Sequence, residues 1–282
     1  MSAILLLAFG LTATTNDKPE SPDEQYRAIV KDFGAAAYAH SHTGDEAQRT
    51  RLTARIDQLT LELLQLAQKH PNDPVALPAL TQVVTQEYWL DNYTTHPGWG
   101  QDSRQAKAIV QLLHDHLRSD RLGETCKRVH FGFRKECETF LRAVLEKNPH
   151  REVQGLACLR LAQFLAGRLQ RLDLLTEQPD LAKRYEGLYG KEYLADLRRQ
   201  NRAQAEKESE KYYEQAIEKY GDVKLPYQDT IAAQARIELF EIRHLAIGKQ
   251  AEEIEGDDQD GKHFKLSDFR GQAVLLYFWS EY

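Results

Sequence analysis

Cysteine is the residue type in this chain with the greatest chemical reactivity, and it occurs at Cys126, Cys137 and Cys158. None of the three stands in a C-x-x-C pair, so no local motif predicts a redox couple or a metal site. Cys158 lies in an apolar run, and we expect it to be a small buried residue of the core. Cys126, His130 and Cys137 would still need further convergent ligands to hold zinc. The sequence therefore predicts no catalytic residue, no metal and no cofactor within this chain.

A denser set of signals lies in the last 35 residues. Asp260-Gly261 predicts the two-residue turn of a β-hairpin, because both residue types tolerate positive φ. The alternating residues 263–266 predict the return strand, and residues 267–271 predict a turn or a single helical turn. Residues 273–279, AVLLYFW, form a continuous apolar run with β-branched and aromatic members. Such a run is typical of a central strand that is covered on both faces.

In order and spacing, this segment resembles the redoxin branch of the thioredoxin-like superfamily. That branch includes exported thiol–disulfide oxidoreductases and the alkyl hydroperoxide reductase/thiol-specific antioxidant group. Its members place a D-G-K turn before an L-S-D-x-R-G segment, and a buried strand follows that ends in F-W. The matching positions here are Asp260, Gly261, Leu266, Ser267, Asp268, Arg270, Gly271, Phe278 and Trp279. The F-W ending favours the oxidoreductase subgroup over the peroxidase subgroup.

The resemblance implies that the first cysteine of a C-x-x-C motif would follow directly after Tyr282. This chain would then carry the opening segment of a thioredoxin-like domain without either active-site thiol, and we expect it to be inactive by itself. The full-length form would act on dithiol or disulfide proteins, or on peroxides. An alternative stays open, in which the chain is a helical-repeat interaction module without catalysis. In that case the helical region binds a protein partner and the C-terminal strands are a structural cap.

The residues before this segment have helical periodicity over more than 200 positions. A weak internal repeat is also present: residues 63–80 and 141–159 each run from an apolar helix through K-x-P and a polar turn into a second apolar helix. A looser third copy covers residues 213–245. This pattern predicts an array of antiparallel helical pairs that is loosely similar to tetratricopeptide repeats. The charge-dense residues 193–220 allow one long helix.

The predicted fold class is therefore mainly α, with the helical array followed by a β-hairpin and one strand of an incomplete thioredoxin-like α/β domain. The predicted boundaries are a signal peptide at residues 1–15, a linker at 16–24, a helical domain at 25–247 and the redoxin fragment at 248–282. The apolar residues 3–9 support the signal peptide, although no basic residue precedes them. The expected location is thus the periplasm or cell envelope, or the cytoplasm if residues 1–13 are not a signal.

Composition and net charge restrict the classes of binding partner. The chain is 41% hydrophobic and 28% charged, which is enough apolar material for a packed core. Its formal net charge of −6 argues against broad electrostatic binding to nucleic acid. The N-terminal apolar run is too short to cross a bilayer as a helix, and we expect no membrane span elsewhere.

Overall fold

The computed structural model describes residues 20–91, 103–225, 230–245 and 248–280. The predicted signal peptide and residues 16–19 of the predicted linker lie outside the described residues. Within the described part of the chain, no helix combines the length and the apolar character that crossing a bilayer requires.

Eleven α-helices account for most of the described residues between Pro22 and Phe240. They are α1 (Pro22–His42), α2 (Glu46–Lys69), α3 (Ala76–Asp91), α4 (Arg104–Asp115), α5 (Leu122–Val129), α6 (Lys135–Lys147), α7 (Arg151–Glu177), α8 (Pro179–Tyr189), α9 (Lys191–Arg199), α10 (Arg202–Tyr220) and α11 (Ile231–Phe240). A π-helical turn, Glu241–Leu245, continues α11. The predicted mainly helical fold is therefore confirmed at this level.

Polar side chains define where the first helices begin. The Ser21 hydroxyl accepts a hydrogen bond from the Glu24 amide, and the Glu24 carboxylate accepts one in return from the Ser21 amide at 2.8 Å. Before α2, the Asp45 carboxylate accepts hydrogen bonds from the amides of Ala47 and Gln48. Such caps satisfy amide donors that a helix N-terminus otherwise leaves without partners.

Helix α7 lies at the centre of the helical region, where it packs on α5, α6 and α10. Leu161 and Phe164 on this helix belong to a core cluster shared with α2 to α6. Leu159 and Ala162 belong to a second cluster shared with α10 and α11. Because α7 buries apolar side chains on more than one face, it carries no single amphipathic stripe. A third cluster joins α1 and α2 to α8 and α9.

Each of the three repeated sequence segments forms two helices that contact each other. The pairs are α2 with α3, α6 with α7, and α10 with α11. Short connections of polar and proline-containing sequence separate the members of the first two pairs, at residues 70–75 and 148–150. The helical pairs are thus present, whereas their similarity to tetratricopeptide repeats stays a prediction.

The charge-dense residues 193–220 form two helices, so a single long helix is the wrong interpretation. Helix α9 ends at Arg199 and α10 begins at Arg202. Asn201 between them has an extended backbone, with φ −66° and ψ 112°, and its side chain accepts a hydrogen bond from the Gln204 amide. The asparagine side chain therefore competes with the continuing helix and starts a new one.

The C-terminal part contains a two-stranded antiparallel sheet made by β1 (Glu255–Asp257) and β2 (His263–Lys265). Gly256 lies opposite Phe264 in the register. A 3₁₀ turn, Leu266–Phe269, follows directly. The predicted hairpin and helical turn are confirmed, but the connection spans residues 258–262 and is longer than the two-residue turn that the sequence predicts.

The predicted strand at residues 273–279 is wrong for the described structure. Residues 273–280 have no regular secondary structure. Leu275 is 91% exposed and Tyr277 is 82% exposed, so the run does not pack on the helical region either. A strand needs neighbours that pair with its backbone groups and cover its faces. Within the described residues β1 and β2 pair only with each other, and residues 273–279 receive no such neighbour.

Candidate functional site

The D-G-K turn of the redoxin-like segment is organised by one carboxylate. Asp258 accepts hydrogen bonds from the amides of Asp260 at 3.0 Å and Lys262 at 2.9 Å through the same oxygen, Oδ1. The Gly261 amide donates to the Asp258 carbonyl at 2.9 Å. Gly261 has φ +76°, which a side chain would disfavour. The sequence pattern located this turn through Asp260-Gly261, and it missed the organising role of Asp258.

The L-S-D residues connect the sheet to the 3₁₀ turn. The Asp268 carboxylate accepts a hydrogen bond from the Lys265 amide at 2.9 Å, and it thereby closes the start of the turn. The Glu253 carboxylate accepts one from the Ser267 amide at 2.9 Å. Hydrogen bonds from the Ser267 side chain and, second, from its amide hold the pKa of Glu253 below its usual value. The Leu266 amide donates to the Ile254 carbonyl, which extends the pairing of the hairpin by one step.

Arg270 and Gly271, the R-G pair of the motif, follow the 3₁₀ turn and change the direction of the backbone. The Arg270 amide donates to the Ser267 carbonyl at 3.3 Å, and the Gln272 amide donates to the Phe269 carbonyl at 3.0 Å. Gly271 has φ +84°, in the left-handed region that favours glycine. The glycine of the motif therefore has a conformational role that sequence position alone would not explain.

Aromatic side chains divide the segment into a packed part and an exposed part. The rings of Phe264 and Phe269 meet edge to face, with centroids 6.4 Å apart, and fix the sheet against the 3₁₀ turn. Phe278 and Trp279, in contrast, are 85% and 71% exposed. The structure thus brings the motif residues from Asp260 to Gly271 together, and it leaves Phe278 and Trp279 apart from them.

The three cysteines do not supply a reactive thiol to this segment. Cys126, Cys137 and Cys158 are all fully buried in the helical core. Burial raises the pKa of both Cys126 and Cys158 to about 12, because a low-dielectric surrounding disfavours the thiolate. The predicted core role of Cys158 is confirmed, and its thiol donates to the Tyr212 carbonyl at 3.4 Å. At neutral pH these two thiols are protonated and unreactive.

The described residues hold no cluster of three or more histidine, cysteine, aspartate or glutamate side chains that would suit a metal ion. Cys126 and Cys137 lie on separate helices, α5 and α6. His130 lies between these two helices in the sequence. Burial, together with the nearby positive charge of Arg160, lowers the pKa of His130 to about 3. The His130 imidazole is therefore neutral over the whole physiological pH range.

Apart from the redoxin-like segment, the structure contains a groove that suits ligand binding. It has a volume of about 1050 Å³ and lies along α1, α2, α3 and α5. Phe33 from α1, Ile56 from α2 and Leu77 from α3 contribute buried apolar surface to it. Tyr26 and Tyr38 on α1 provide aromatic side chains. Ligand pockets are commonly of this size and combine an apolar lining with a few polar groups.

The groove also carries charges of both signs, with cations in excess. Its lining includes the cations Arg49, Arg121 and Arg128 and the anions Glu46 and Glu124. Arg49 pairs with Glu46 at 3.0 Å, and Arg128 pairs with Glu124 at 3.4 Å. Across the described residues, no carboxylate lies within ion-pair distance of Arg121. Periodicity alone did not predict this groove, because its residues come from four helices far apart in the sequence.

Comparison with known proteins adds no relative to these observations. No protein-family model matches the chain, and neither a curated protein nor a solved structure is significantly similar to it.

Proposed function

We propose that this chain is part of a redoxin-type protein, and that its full-length form carries out thiol–disulfide exchange or reduces peroxides. The observation that carries the proposal is the local structure of the motif. A turn closed by glycine, a capping aspartate and a second left-handed glycine follow one another from Gly261 to Gly271 in the order that the redoxin branch uses. Export to the periplasm or cell envelope belongs to the same proposal and rests on the apolar residues 3–9.

The proposed chemistry needs two thiols beyond residue 282. A thiolate attacks one sulfur of a substrate disulfide, and the displaced sulfur leaves with the bonding electron pair as a thiolate. The second cysteine then attacks the mixed disulfide and releases the other substrate sulfur. The protein ends as a disulfide and the substrate as a dithiol. In the complete domain, residues 272–282 would connect the 3₁₀ turn to the first of these cysteines.

The first test is an insulin-reduction assay with dithiothreitol as the electron donor. The purified 282-residue chain is expected to give no more than the rate of dithiothreitol alone, because its own three thiols are buried in the helical core. The matched control is a variant with Cys126, Cys137 and Cys158 all changed to serine, which should give the same rate. Activity in the chain that disappears in this variant would contradict the proposal.

The second test reads the coding sequence beyond Tyr282. The redox proposal requires a cysteine codon in the next position and another three residues later. A protein extended through these cysteines should reduce insulin, and its rate should fall to background when the first of them becomes serine. A stop codon with no such codons downstream would rule out the redox function.

A second candidate function is binding without catalysis, in which the helical domain is an interaction module and the hairpin is a cap. The groove along α1, α2, α3 and α5 favours this candidate, because it combines buried apolar surface with charged groups. The two candidates are separable, since the binding role needs no cysteine and the redox role does not need the groove.

A further inference from the structure

We propose that the groove along α1, α2, α3 and α5 binds an extended peptide segment in which acidic residues alternate with apolar ones. The inference rests on the second candidate function, the binding role of the helical domain, and it assigns that role a surface and a class of partner. It is independent of the redox proposal, because none of the groove residues belongs to the C-terminal segment.

The dimensions of the groove suit an extended chain. Its α1 side runs from Tyr26 to Ser41, which is about 22 Å at a rise of ~1.5 Å per residue. An extended peptide of six residues covers about 20 Å at ~3.3 Å per residue. An extended hexapeptide therefore matches the length of the groove.

The lining offers partners to both kinds of side chain in such a peptide. Phe33, Ile56 and Leu77 are only 4–6% exposed and lie at the apolar base. Gln82 and Thr81 on α3 add polar groups that can bond to peptide amides and carbonyls. An extended peptide presents side chains alternately to opposite sides, so its apolar residues can face the base while an acidic residue between them faces Arg121.

Charge decides which peptide fits. Two of the three arginines that line the groove are paired within it, and Arg121 provides the remaining positive charge. The whole chain has a net charge of −6, so this local excess of one cation has the opposite sign to the molecule as a whole. A carboxylate would gain a charge-assisted hydrogen bond from Arg121. A nucleic acid would bring many phosphates toward an acidic protein that has a single surplus cation in the groove, and binding would be unfavourable.

The test uses fluorescence anisotropy with the purified 282-residue chain and three fluorescein-labelled hexapeptides. One alternates leucine with glutamate, one leucine with lysine and one leucine with serine. The acidic peptide is expected to bind at least ~10-fold more tightly than the serine peptide, which corresponds to about one charge-assisted hydrogen bond. The lysine peptide is expected to bind more weakly than either.

Arg121→Glu tests the residue that carries the charge argument. Arg121 is exposed at the start of α5, where a glutamate suits the helix dipole, so the variant should fold. Affinity for the acidic peptide should fall at least ~10-fold, and affinity for the lysine peptide should rise. Arg51→Glu on α2 is the matched control, because it makes the same change in net charge at an exposed position outside the groove. It should change either affinity by less than about 2-fold.

Ala37→Trp tests the location, because Ala37 lines the groove and a bulky ring there would fill it. Binding of the acidic peptide should be lost while the circular dichroism spectrum stays that of the parent chain. Equal loss of affinity in the Arg121→Glu and Arg51→Glu variants would overturn the inference. So would displacement of the peptide by oleate at a lower concentration than by unlabelled acidic peptide, because the occupant would then be an amphiphile.

The outcomes also separate this inference from the binding role on which it rests. If the serine peptide binds as well as the acidic one, and Ala37→Trp blocks both, the acidic class is wrong and the binding role stands. If none of the three peptides binds, the inference and the peptide-binding role both fail.

Discussion

At the scale of single residues, the most consequential interaction in the helical core is a buried ion pair between Glu138 of α6 and Arg168 of α7. The Arg168 side chain is 6% exposed, so the Glu138 carboxylate compensates a charge that water cannot solvate. Arg142 joins the cluster, at 2.6 Å from Glu138 and 2.7 Å from Glu208 of α10. Three helices are therefore connected through one charge cluster, in which Arg168 and Glu138 are the most shielded from water.

Glu138→Gln is expected to reduce the free energy of unfolding by about 3 kcal/mol, because it leaves the Arg168 guanidinium buried without an anion. Urea denaturation followed by circular dichroism measures the change. Glu146→Gln on the same helix is the control, since Glu146 is exposed and should alter stability by less than about 0.5 kcal/mol. Equal effects from the two substitutions would show that the ion pair does not stabilise the core.

The same carboxylate makes stability depend on acid pH. Burial by itself would raise the pKa of Glu138, but the neighbouring Arg168 and Arg142 outweigh it and hold the pKa below its usual value of 4.5. A carboxylate with a lowered pKa in the folded state contributes stability above its unfolded-state pKa. That contribution is lost as the pH falls from about 4.5 through the folded-state pKa, so the difference between parent and Glu138→Gln should shrink over this interval.

At the scale of elements, the break between α9 and α10 shows how one capping side chain divides a sequence with high helix propensity. Residues 203–215 are dominated by good helix formers. Propensity alone therefore favours continuing the helix through residue 201. The hydrogen bond from the Gln204 amide to the Asn201 side chain starts α10 at Arg202 instead.

Asn201→Ala is expected to lower the free energy of unfolding by about 1 kcal/mol, because the cap at the start of α10 is lost. A continuous helix through residue 201 would give the opposite sign, since alanine has the higher helix propensity. Thermal and urea denaturation of this variant decide between the two. Gln200→Ala is the control, because Gln200 is exposed and does not cap α10.

At the scale of the whole molecule, apolar surface is distributed unevenly. The helical region buries large apolar side chains in three clusters. Residues 274–279 expose every one of their side chains to solvent, with fractions from 47% to 91%. An exposed apolar run of this kind offers a surface to a further part of the fold or to other molecules.

Hydrogen exchange is expected to differ sharply between these two parts. Amides of residues 273–280 lie outside the described helices and sheet, and they should exchange at close to the intrinsic rate. Amides in the middle of α7 should exchange only through large-scale unfolding. Mass spectrometry of peptic peptides after a few seconds in heavy water measures both. Protection of residues 273–280 equal to that of α7 would show that the run is packed.

Local patterns in the sequence predicted a large part of this structure. The helical pairs at residues 63–80 and 141–159 follow from apolar periodicity and proline, and the turn near Gly261 follows from residue types that accept positive φ. The groove could not be predicted in the same way, because Phe33, Leu77 and Arg121 meet only through packing of separate helices. Nor could the ion pair of Glu138 with Arg168, whose members lie 30 residues apart.

The sequence by itself determined elements whose causes are local: the helical pairs at residues 63–80 and 141–159, and the turn that contains Gly261 with its positive φ. Tertiary structure decided the outcome wherever a residue depends on distant neighbours. Residues 273–279 have the composition of a buried strand, yet strand pairing is a non-local interaction, and β1 and β2 do not supply it. Cys126 and Cys158 likewise became unreactive only through the helices that enclose them, because a thiol pKa is set by its surroundings and not by its position in the chain.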